Sequence, residues 1–176
     1  MSTETTLNGL HPERLAQIVA GLEDEATFQE VSGPWRTTVR WDGGFRAVGE
    51  ARNHLIRYDE PEGLDATDTS ASAHEQLLSA IGACVTVGFV LNATRQGIRI
   101  DELSIDVAAR FEDIRRWAGL NADGNPGYAG VSIAGRVRAD ADEATLAAIW
   151  QKVVDGSPVA QSVARATPLE PTLELV

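Results

Sequence analysis

Two stretches of the chain alternate between apolar and polar residues, which is the two-residue period of a β-strand with one buried face. The first runs from Leu103 to Phe111, and the second passes through Val131, Ile133 and Val137. A long, mostly apolar stretch precedes them, and a segment with helical spacing follows. Strands, a long helix, further strands and a second helix, in this order, predict an α+β domain.

The long apolar stretch predicts a central helix of about 24 residues, or roughly 36 Å at 1.5 Å per residue. Ser72 and Glu75 stand three residues apart at its start, which is the spacing of a capping box. Gly97 is a natural terminator at its end. Because apolar residues cover most of the circumference, we expect the helix to be buried on several sides. One 176-residue chain offers little cover for such a helix, which points to a dimer.

The other predicted elements lie on either side of this helix. Before it we expect a helix at residues 11–25, strands at 35–41, 45–50 and 54–58, and a surface loop at 59–72. After it we expect a loop at 115–128, a helix capped by Asp140 or Asp142 that stops at Gly156, one helical turn at 157–163 and a closing strand at 172–176. Without a repeat or a linker, residues 1–176 are expected to form a single domain.

The charge of the chain limits its partners. The 15 Lys and Arg residues against 26 Asp and Glu residues give a formal net charge of -11. Nucleic acids and anionic membrane surfaces both require clustered basic side chains, so neither partner is expected. The first six residues also lack the basic start and apolar core of a secretory signal. Together with the single cysteine, this favours a reducing cytoplasm.

The single cysteine, Cys84, lies about three turns into the predicted helix. A buried cysteine without a charged partner is a small hydrophobic residue, whereas a reactive one needs a cation that stabilises the thiolate. Glu75 lies nine residues earlier, about 13 Å along the helix axis. Arg46 or Arg52 from the predicted sheet can bridge that gap. The capping box also explains Glu75 by itself, so the local sequence leaves both interpretations of the thiol open.

Other common chemistries lack their residue patterns. His74 and Glu75 open an apparent zinc-protease motif, but position 78 is Leu rather than the second His. No cysteine pair, phosphate-binding loop, dinucleotide glycine pattern or nucleophile elbow occurs in the sequence. We therefore expect neither a metal nor a cofactor.

Two segments and a short motif resemble a known family. They are residues 52–61 (RNHLIRYDEP), residues 75–84 (EQLLSAIGAC), and the Gly156-Ser157-Pro158-Val159 run that falls where the family has Cys-Pro-Val. This pattern is similar to that of the OsmC/Ohr family of osmotically inducible and organic-hydroperoxide-resistance proteins. The resemblance covers residue 35 to the C-terminus, and residues 1–33 are expected to be an N-terminal helical extension outside it.

The resemblance implies an intertwined homodimer in which antiparallel sheets wrap long buried central helices, with active sites at the interface. It also implies that Cys84 attacks organic hydroperoxides as a thiolate, activated by Glu75 and by Arg46, with Arg52 as the alternative arginine. In the peroxidases of this family a second cysteine resolves the sulfenic acid, and dithiols such as dihydrolipoamide regenerate the enzyme.

Ser157 occupies the resolving position, and a hydroxyl cannot form a disulfide. Three hypotheses follow. The protein is a one-cysteine peroxidase or redox sensor that uses an external thiol, a non-catalytic dimer that binds a small apolar ligand at its interface, or a purely structural dimer. The thiol-dependent function is the first of these hypotheses, because the sequence retains Cys84, Glu75 and a candidate arginine together.

Overall fold

The computed structural model describes residues 6–175, which form five α-helices, one 3-10 turn and five strands. In chain order these are α1 (Pro12–Gly21), α2 (Glu25–Ser32), β1 (Thr38–Trp41), β2 (Ala47–Ala51), β3 (His54–Tyr58), the 3-10 turn (Glu62–Leu64), α3 (Ala73–Arg95), β4 (Ile100–Phe111), β5 (Tyr128–Ala139), α4 (Glu143–Gly156) and α5 (Pro158–Ala164). This mixture of small antiparallel sheets, short helices and one long helix confirms the α+β prediction.

The chain separates into two compact units, Met1–Ser79 and Ala80–Val176, and α3 begins in the first and continues in the second. In the first unit, β1, β2 and β3 form an antiparallel sheet in that order. Gly49, the buried residue of the central strand, pairs with Val39 on one side and Ile56 on the other. The single-domain organisation, with residues 1–33 as an extension, stays a prediction.

The second unit packs its helices against a two-stranded antiparallel sheet of β4 and β5. The alternation predicted for both strands is confirmed, because half-buried and exposed residues take turns along each of them. Cross-strand ion pairs, such as Arg136 with Asp106 at 3.0 Å, lie among the exposed residues. The buried core comes from α3, α4 and the segment after α3, and consists of Val85, Phe89, Ala93, Ile98, Ile149 and Val153.

The N-terminal helical segment differs from its prediction. The predicted helix at residues 11–25 is wrong in extent, because α1 ends at Gly21 and α2 begins at Glu25. Asp24 starts the second helix: its carboxylate accepts a hydrogen bond from the Thr27 backbone N–H at 3.0 Å. This N-cap interaction competes with continuation of α1.

Two of the predicted strands have shorter or shifted bounds. β1 begins only at Thr38. In its antiparallel register, residues 35 and 36 fall opposite residues 52 and 53, which form the turn between β2 and β3 and not a strand. β2 begins at Ala47 because the two residues before it belong to a turn, in which the Arg46 N–H donates to the Gly43 carbonyl at 3.0 Å. Of the two candidate caps for α4, the structure selects Asp142, whose carboxylate accepts from Thr145 N–H at 2.7 Å.

The predicted closing strand is absent from residues 172–175, and Val176 lies outside the described residues. Leu173 and Leu175, which produced the alternating pattern, are both exposed. Alternation predicts which face of a strand is buried, but a strand also needs a neighbour for its backbone N–H and C=O groups. Residues 172–175 pair with no strand in the part of the chain that the structure describes.

The helix α3 leaves one apolar stripe uncovered in the single chain. Ala80, Ala83 and Val87 recur at helical spacing and are all exposed, with 69% of Val87 accessible. By length and composition α3 is also the one helix among residues 6–175 that is able to cross a membrane, although core helices of soluble proteins pass the same test. Its burial in the second unit's core fits the core-helix interpretation.

Candidate functional site

The first turn of α3 contains the predicted capping box, and the structure confirms it. The Ser72 hydroxyl donates to Glu75 Oε2 at 2.7 Å, and the Ser72 backbone N–H donates to the same oxygen at 2.8 Å. In return, the Ser72 hydroxyl oxygen accepts the Glu75 N–H at 3.5 Å. Ser72 is 1% exposed, so the pair also satisfies a buried polar group at the helix end.

These hydrogen bonds set the charge state of Glu75. The Ser72 hydroxyl, followed by the Ser72 N–H, lowers the pKa of the Glu75 carboxyl below its ordinary value of 4.5, while burial opposes the shift. The nearby His74 lowers the pKa of Glu75 further. Glu75 is therefore a carboxylate at neutral pH, which is the state needed to hold a cation.

The loop before α3 contains a buried carboxylate that the sequence interpretation missed. Asp59 was expected in an exposed loop, yet it is 1% exposed and accepts hydrogen bonds from Glu60, Thr67 and Thr69. Four donors converge on its two oxygens and hold the pKa of Asp59 far below its usual range, with the Thr69 N–H contributing most. In the sequence, the only sign of this arrangement is an Asp directly after a strand, followed in the next loop by Thr67 and Thr69.

The two candidate arginines occupy turns of the first unit's sheet. The Arg46 guanidinium donates to the Asp42 carbonyl from Nε at 3.2 Å and from Nη2 at 3.0 Å, which closes the turn between β1 and β2. Gly43, with φ +85°, lies beneath that guanidinium; a Cβ there would be 3.2 Å from Nη2. Arg52 is exposed in the β2–β3 turn and has a positive φ of 58°. Arg46 is thus the better ordered of the two.

Cys84 lies beside the exposed stripe of α3. Ala80 precedes it by four residues and Val87 follows it by three, so the three share one side of the helix. The thiol residue is half-buried, whereas its neighbour Val85 is fully buried in the core. A half-buried cysteine at the margin of a core is open to reagents that a fully buried one excludes.

Ser157 has a structural role at the junction of α4 and α5. It is 3% exposed, and its hydroxyl accepts the Ala160 N–H at 3.3 Å as the N-cap of α5. Pro158 occupies the first position of that helix, where a missing N–H has no cost. The predicted helical turn after Gly156 is confirmed, and Ser157 serves it as a cap.

Within each unit the structure thus brings together only some of the predicted residues. Glu75 contacts Ser72 in the first unit, which also contains Arg46 and Arg52, whereas Cys84 and Ser157 belong to the second. The assembly of an arginine, Glu75 and the thiol into one site stays a prediction. Among residues 6–175, no group of three or more His, Cys, Asp and Glu side chains is arranged to hold a metal ion.

A cavity of about 350 Å³ lies in the second unit and was not predicted. Ile81, one helical turn before Cys84, contributes to its wall, as do Val131 and Ile133 of β5. Tyr128 and Gln161 supply its polar side chains. Its size and apolar walls are typical of small-molecule sites.

Solved structures with the same fold come from several bacteria. The OsmC-like protein from Mycoplasma pneumoniae is 16% identical, with a TM-score of 0.64 over 75% of this chain and 88% of that one. An organic hydroperoxide resistance protein from Legionella pneumophila is 15% identical, with a TM-score of 0.54 over 74% and 90%. OhrB of Bacillus subtilis, also named for organic hydroperoxide resistance, is 17% identical, with a TM-score of 0.51 over 75% and 91%. At these identities the similarity shows the fold.

A sequence model described as OsmC-like protein matches residues 66–172. No curated protein sequence matches the chain. The matched segment contains Glu75, Cys84 and Ser157, but it begins after Arg46 and Arg52, so the choice of arginine rests on the sheet alone. Because the match spans more than half of the sequence and agrees with the fold, the chain belongs to the OsmC-like protein family.

Proposed function

We propose that the protein is a one-cysteine, thiol-dependent peroxidase that acts on organic hydroperoxides. The observation that carries this proposal is the half-buried thiol of Cys84, which lies on the same helix as an ionised Glu75 in a chain of the OsmC-like family. Arg46, ordered by the Asp42 carbonyl, is the proposed cation, and Arg52 is the alternative. Neighbours named as organic hydroperoxide resistance proteins support this substrate class.

The proposed reaction needs no second cysteine in the chain. The Cys84 thiolate attacks the terminal peroxide oxygen, the O–O bond breaks, and the alkoxide takes a proton to leave as an alcohol. Cys84 is then a sulfenic acid. A thiolate of an external dithiol attacks its sulfur and displaces water, and the second thiol of that dithiol releases Cys84 as the dithiol becomes a disulfide. Ser157 caps α5 and takes no part.

We further propose that the protein acts as a cytoplasmic homodimer. Proteins of the OsmC family are generally homodimers. The exposed stripe of Ala80, Ala83 and Val87 on an otherwise buried helix is the kind of surface that a second copy covers. Such a partner would lie beside Cys84, in accord with the expected location of the sites at the interface.

The second candidate function is the binding of a small apolar ligand without catalysis. The cavity bounded by Ile81, Val131 and Ile133 favours it, because its walls are mainly aliphatic and its volume suits a small molecule. The cavity lies within the second unit, so a ligand site at the dimer interface stays a prediction.

Peroxide consumption separates the two functions. We expect the wild-type protein to consume an organic hydroperoxide in the presence of dihydrolipoamide, and Cys84→Ser to lose this activity, because a hydroxyl is too weak a nucleophile at neutral pH. Ser79→Ala, at an exposed position of the same helix, is the matched control and retains activity. Equal, negligible rates for wild type and Cys84→Ser would reject the peroxidase and leave the binding function.

A further inference from the structure

We propose that Asp59 is a positioning residue: it fixes the loop that delivers Ser72 and Glu75 to the first turn of α3. The inference rests on the proposed function only in naming the thiol chemistry that Glu75 serves. Asp59 directly follows β3 and is separated from Ser72 by a 12-residue loop. Its carboxylate ties the start of that loop to Thr67 and Thr69 near its end by side-chain hydrogen bonds.

The contacts of Asp59 are those of an anchor. Oδ1 accepts the Glu60 N–H at 2.9 Å. Oδ2 accepts three donors: the Thr67 hydroxyl at 2.7 Å, the Thr69 N–H at 2.9 Å and the Thr69 hydroxyl at 2.9 Å. Both threonines are exposed while Asp59 is buried, so they close over the carboxylate from the solvent side. A buried carboxylate whose two oxygens accept four hydrogen bonds restrains the backbone of the residues that donate them.

The locked segment leads directly into the capping box. Thr69 is three residues from Ser72, whose backbone carbonyl accepts the Gln76 N–H at 3.0 Å. The Gln76 side chain also donates to the carbonyls of Arg57, at the end of β3, and of Ala71. Two tethers, one through Asp59 and one through Gln76, thus join the end of β3 to the start of α3. The orientation of the Glu75 carboxylate depends on both, because Ser72 supplies its two donors.

Asparagine at position 59 cannot reproduce this arrangement. Its side chain has one acceptor oxygen and one NH₂ group, so in either orientation a donor faces the donors of the loop. The position of Ser72 is then no longer fixed. The Glu75 carboxylate, whose donors come from Ser72, loses the orientation that binding of the proposed arginine requires. The change leaves β4, β5 and α4 untouched.

Amide hydrogen exchange of the full-length protein tests the positioning directly. In Asp59→Asn we expect the Gln76 N–H and its first-turn neighbours to exchange about tenfold faster or more, which corresponds to the loss of one hydrogen bond to a charged group. Amides of β4 and β5 should keep their rates. Asp65→Asn is the matched control: Asp65 is an exposed carboxylate of the same loop with a φ of 60°, which asparagine tolerates. Unchanged exchange at Gln76, or equal acceleration in β4 and β5, would overturn the inference.

The pH profile of Cys84 alkylation provides a readout that a merely structural role of Asp59 would not move. We expect Asp59→Asn to raise the pH at which iodoacetamide alkylation of Cys84 is half-maximal, because Glu75 no longer orients the cation that stabilises the thiolate. The same midpoint in both proteins, with a wild type that consumes peroxide, would contradict the inference. If wild type consumes no peroxide, the proposed function fails, and amide exchange at Gln76 still decides the role of Asp59.

If Asp59→Asn does not fold, two variants of Thr67 test the inference with the loss of a single hydrogen bond. Thr67→Val keeps the shape of the side chain but removes one donor to Oδ2, whereas Thr67→Ser keeps the hydroxyl. We expect Thr67→Val to shift exchange and alkylation in the same direction as Asp59→Asn, and Thr67→Ser to restore wild-type behaviour. Identical results for the two variants would overturn the inference.

Discussion

Ser72 links the stability of α3 to the ionisation of Glu75. Its hydroxyl caps the helix and also donates to the Glu75 carboxylate, so one side chain satisfies a backbone group and holds a charge. Both functions depend on the burial of Ser72, which excludes competing water. At the scale of single residues, this coupling is what makes the start of α3 sensitive to pH.

The first prediction concerns Ser72→Ala. We expect it to lower the free energy of unfolding at neutral pH by about 1 kcal/mol, the usual effect of losing an N-cap. The folded state lowers the Glu75 pKa, so the stabilisation is complete above the ordinary value of 4.5 and is lost as the pH falls through the folded pKa. The decrease in the free energy of unfolding caused by Ser72→Ala should therefore be smaller at acidic pH. Urea titrations at neutral and acidic pH measure it, and an equal deficit at both would contradict the coupling.

The second prediction concerns the resolving position. If Ser157 is equivalent to the second cysteine of the family, Ser157→Cys should form an intramolecular disulfide with Cys84 after treatment with one equivalent of peroxide. Mass spectrometry under non-reducing conditions detects the loss of two hydrogen atoms. Ser162→Cys, at an exposed position of α5, is the control and should remain a free thiol. A failure of Ser157→Cys to form the bond would reject the equivalence.

At the scale of elements, the packing of α4 on β5 depends on a glycine. Trp150 of α4 lies against the backbone of Gly135 so closely that a Cβ at that position would be 2.4 Å from Cζ3 of the indole. The indole is rigid and half-buried, so it cannot simply turn away. The hydrophobic pattern gave no sign of this contact, because glycine carries no side chain to place on either face.

The third prediction follows from that contact. Gly135→Ala should lower the free energy of unfolding by about 1–3 kcal/mol, the usual cost of overpacking a close contact. Gly130→Ala is the matched control in the same strand, because a Cβ there meets no atom within 4 Å. We expect the control to be neutral or slightly stabilising, since alanine restricts the unfolded chain more than glycine does. Equal denaturation midpoints for both variants would contradict the packing argument.

At the scale of the whole molecule, the exposed stripe of α3 is an apolar surface that the single chain leaves uncovered. A helix that is apolar on most of its surface needs cover on more sides than one unit provides. The second unit covers Val85 and Phe89, whereas Ala80, Ala83 and Val87 stay open. The proposed homodimer would bury this stripe, and would thus cover the part of the apolar helix that the single chain leaves exposed.

The fourth prediction tests this assembly. We expect the wild-type protein to sediment as a dimer, and Val87→Arg to weaken dimerisation at least about tenfold, because an unpaired charge would be buried in the interface. Ala148→Arg, at an exposed position of α4, is the control and should leave the dimer intact. Sedimentation velocity over a range of concentrations measures the change. A monomeric wild type, or a dimer of unchanged affinity in Val87→Arg, would reject the proposed interface.

The sequence by itself determined the features that depend on neighbours a few residues apart: the capping box of Ser72 and Glu75, the length of α3, the alternation of β4 and β5, and the helical turn after Gly156. Periodicity and capping are local, so they are visible in the order of the residues. The tertiary structure decided the burial of Asp59, because its donors stand eight and ten residues away in an irregular loop. It also decided that residues 172–175 form no strand and that Trp150 packs on Gly135, because both depend on which backbone lies opposite.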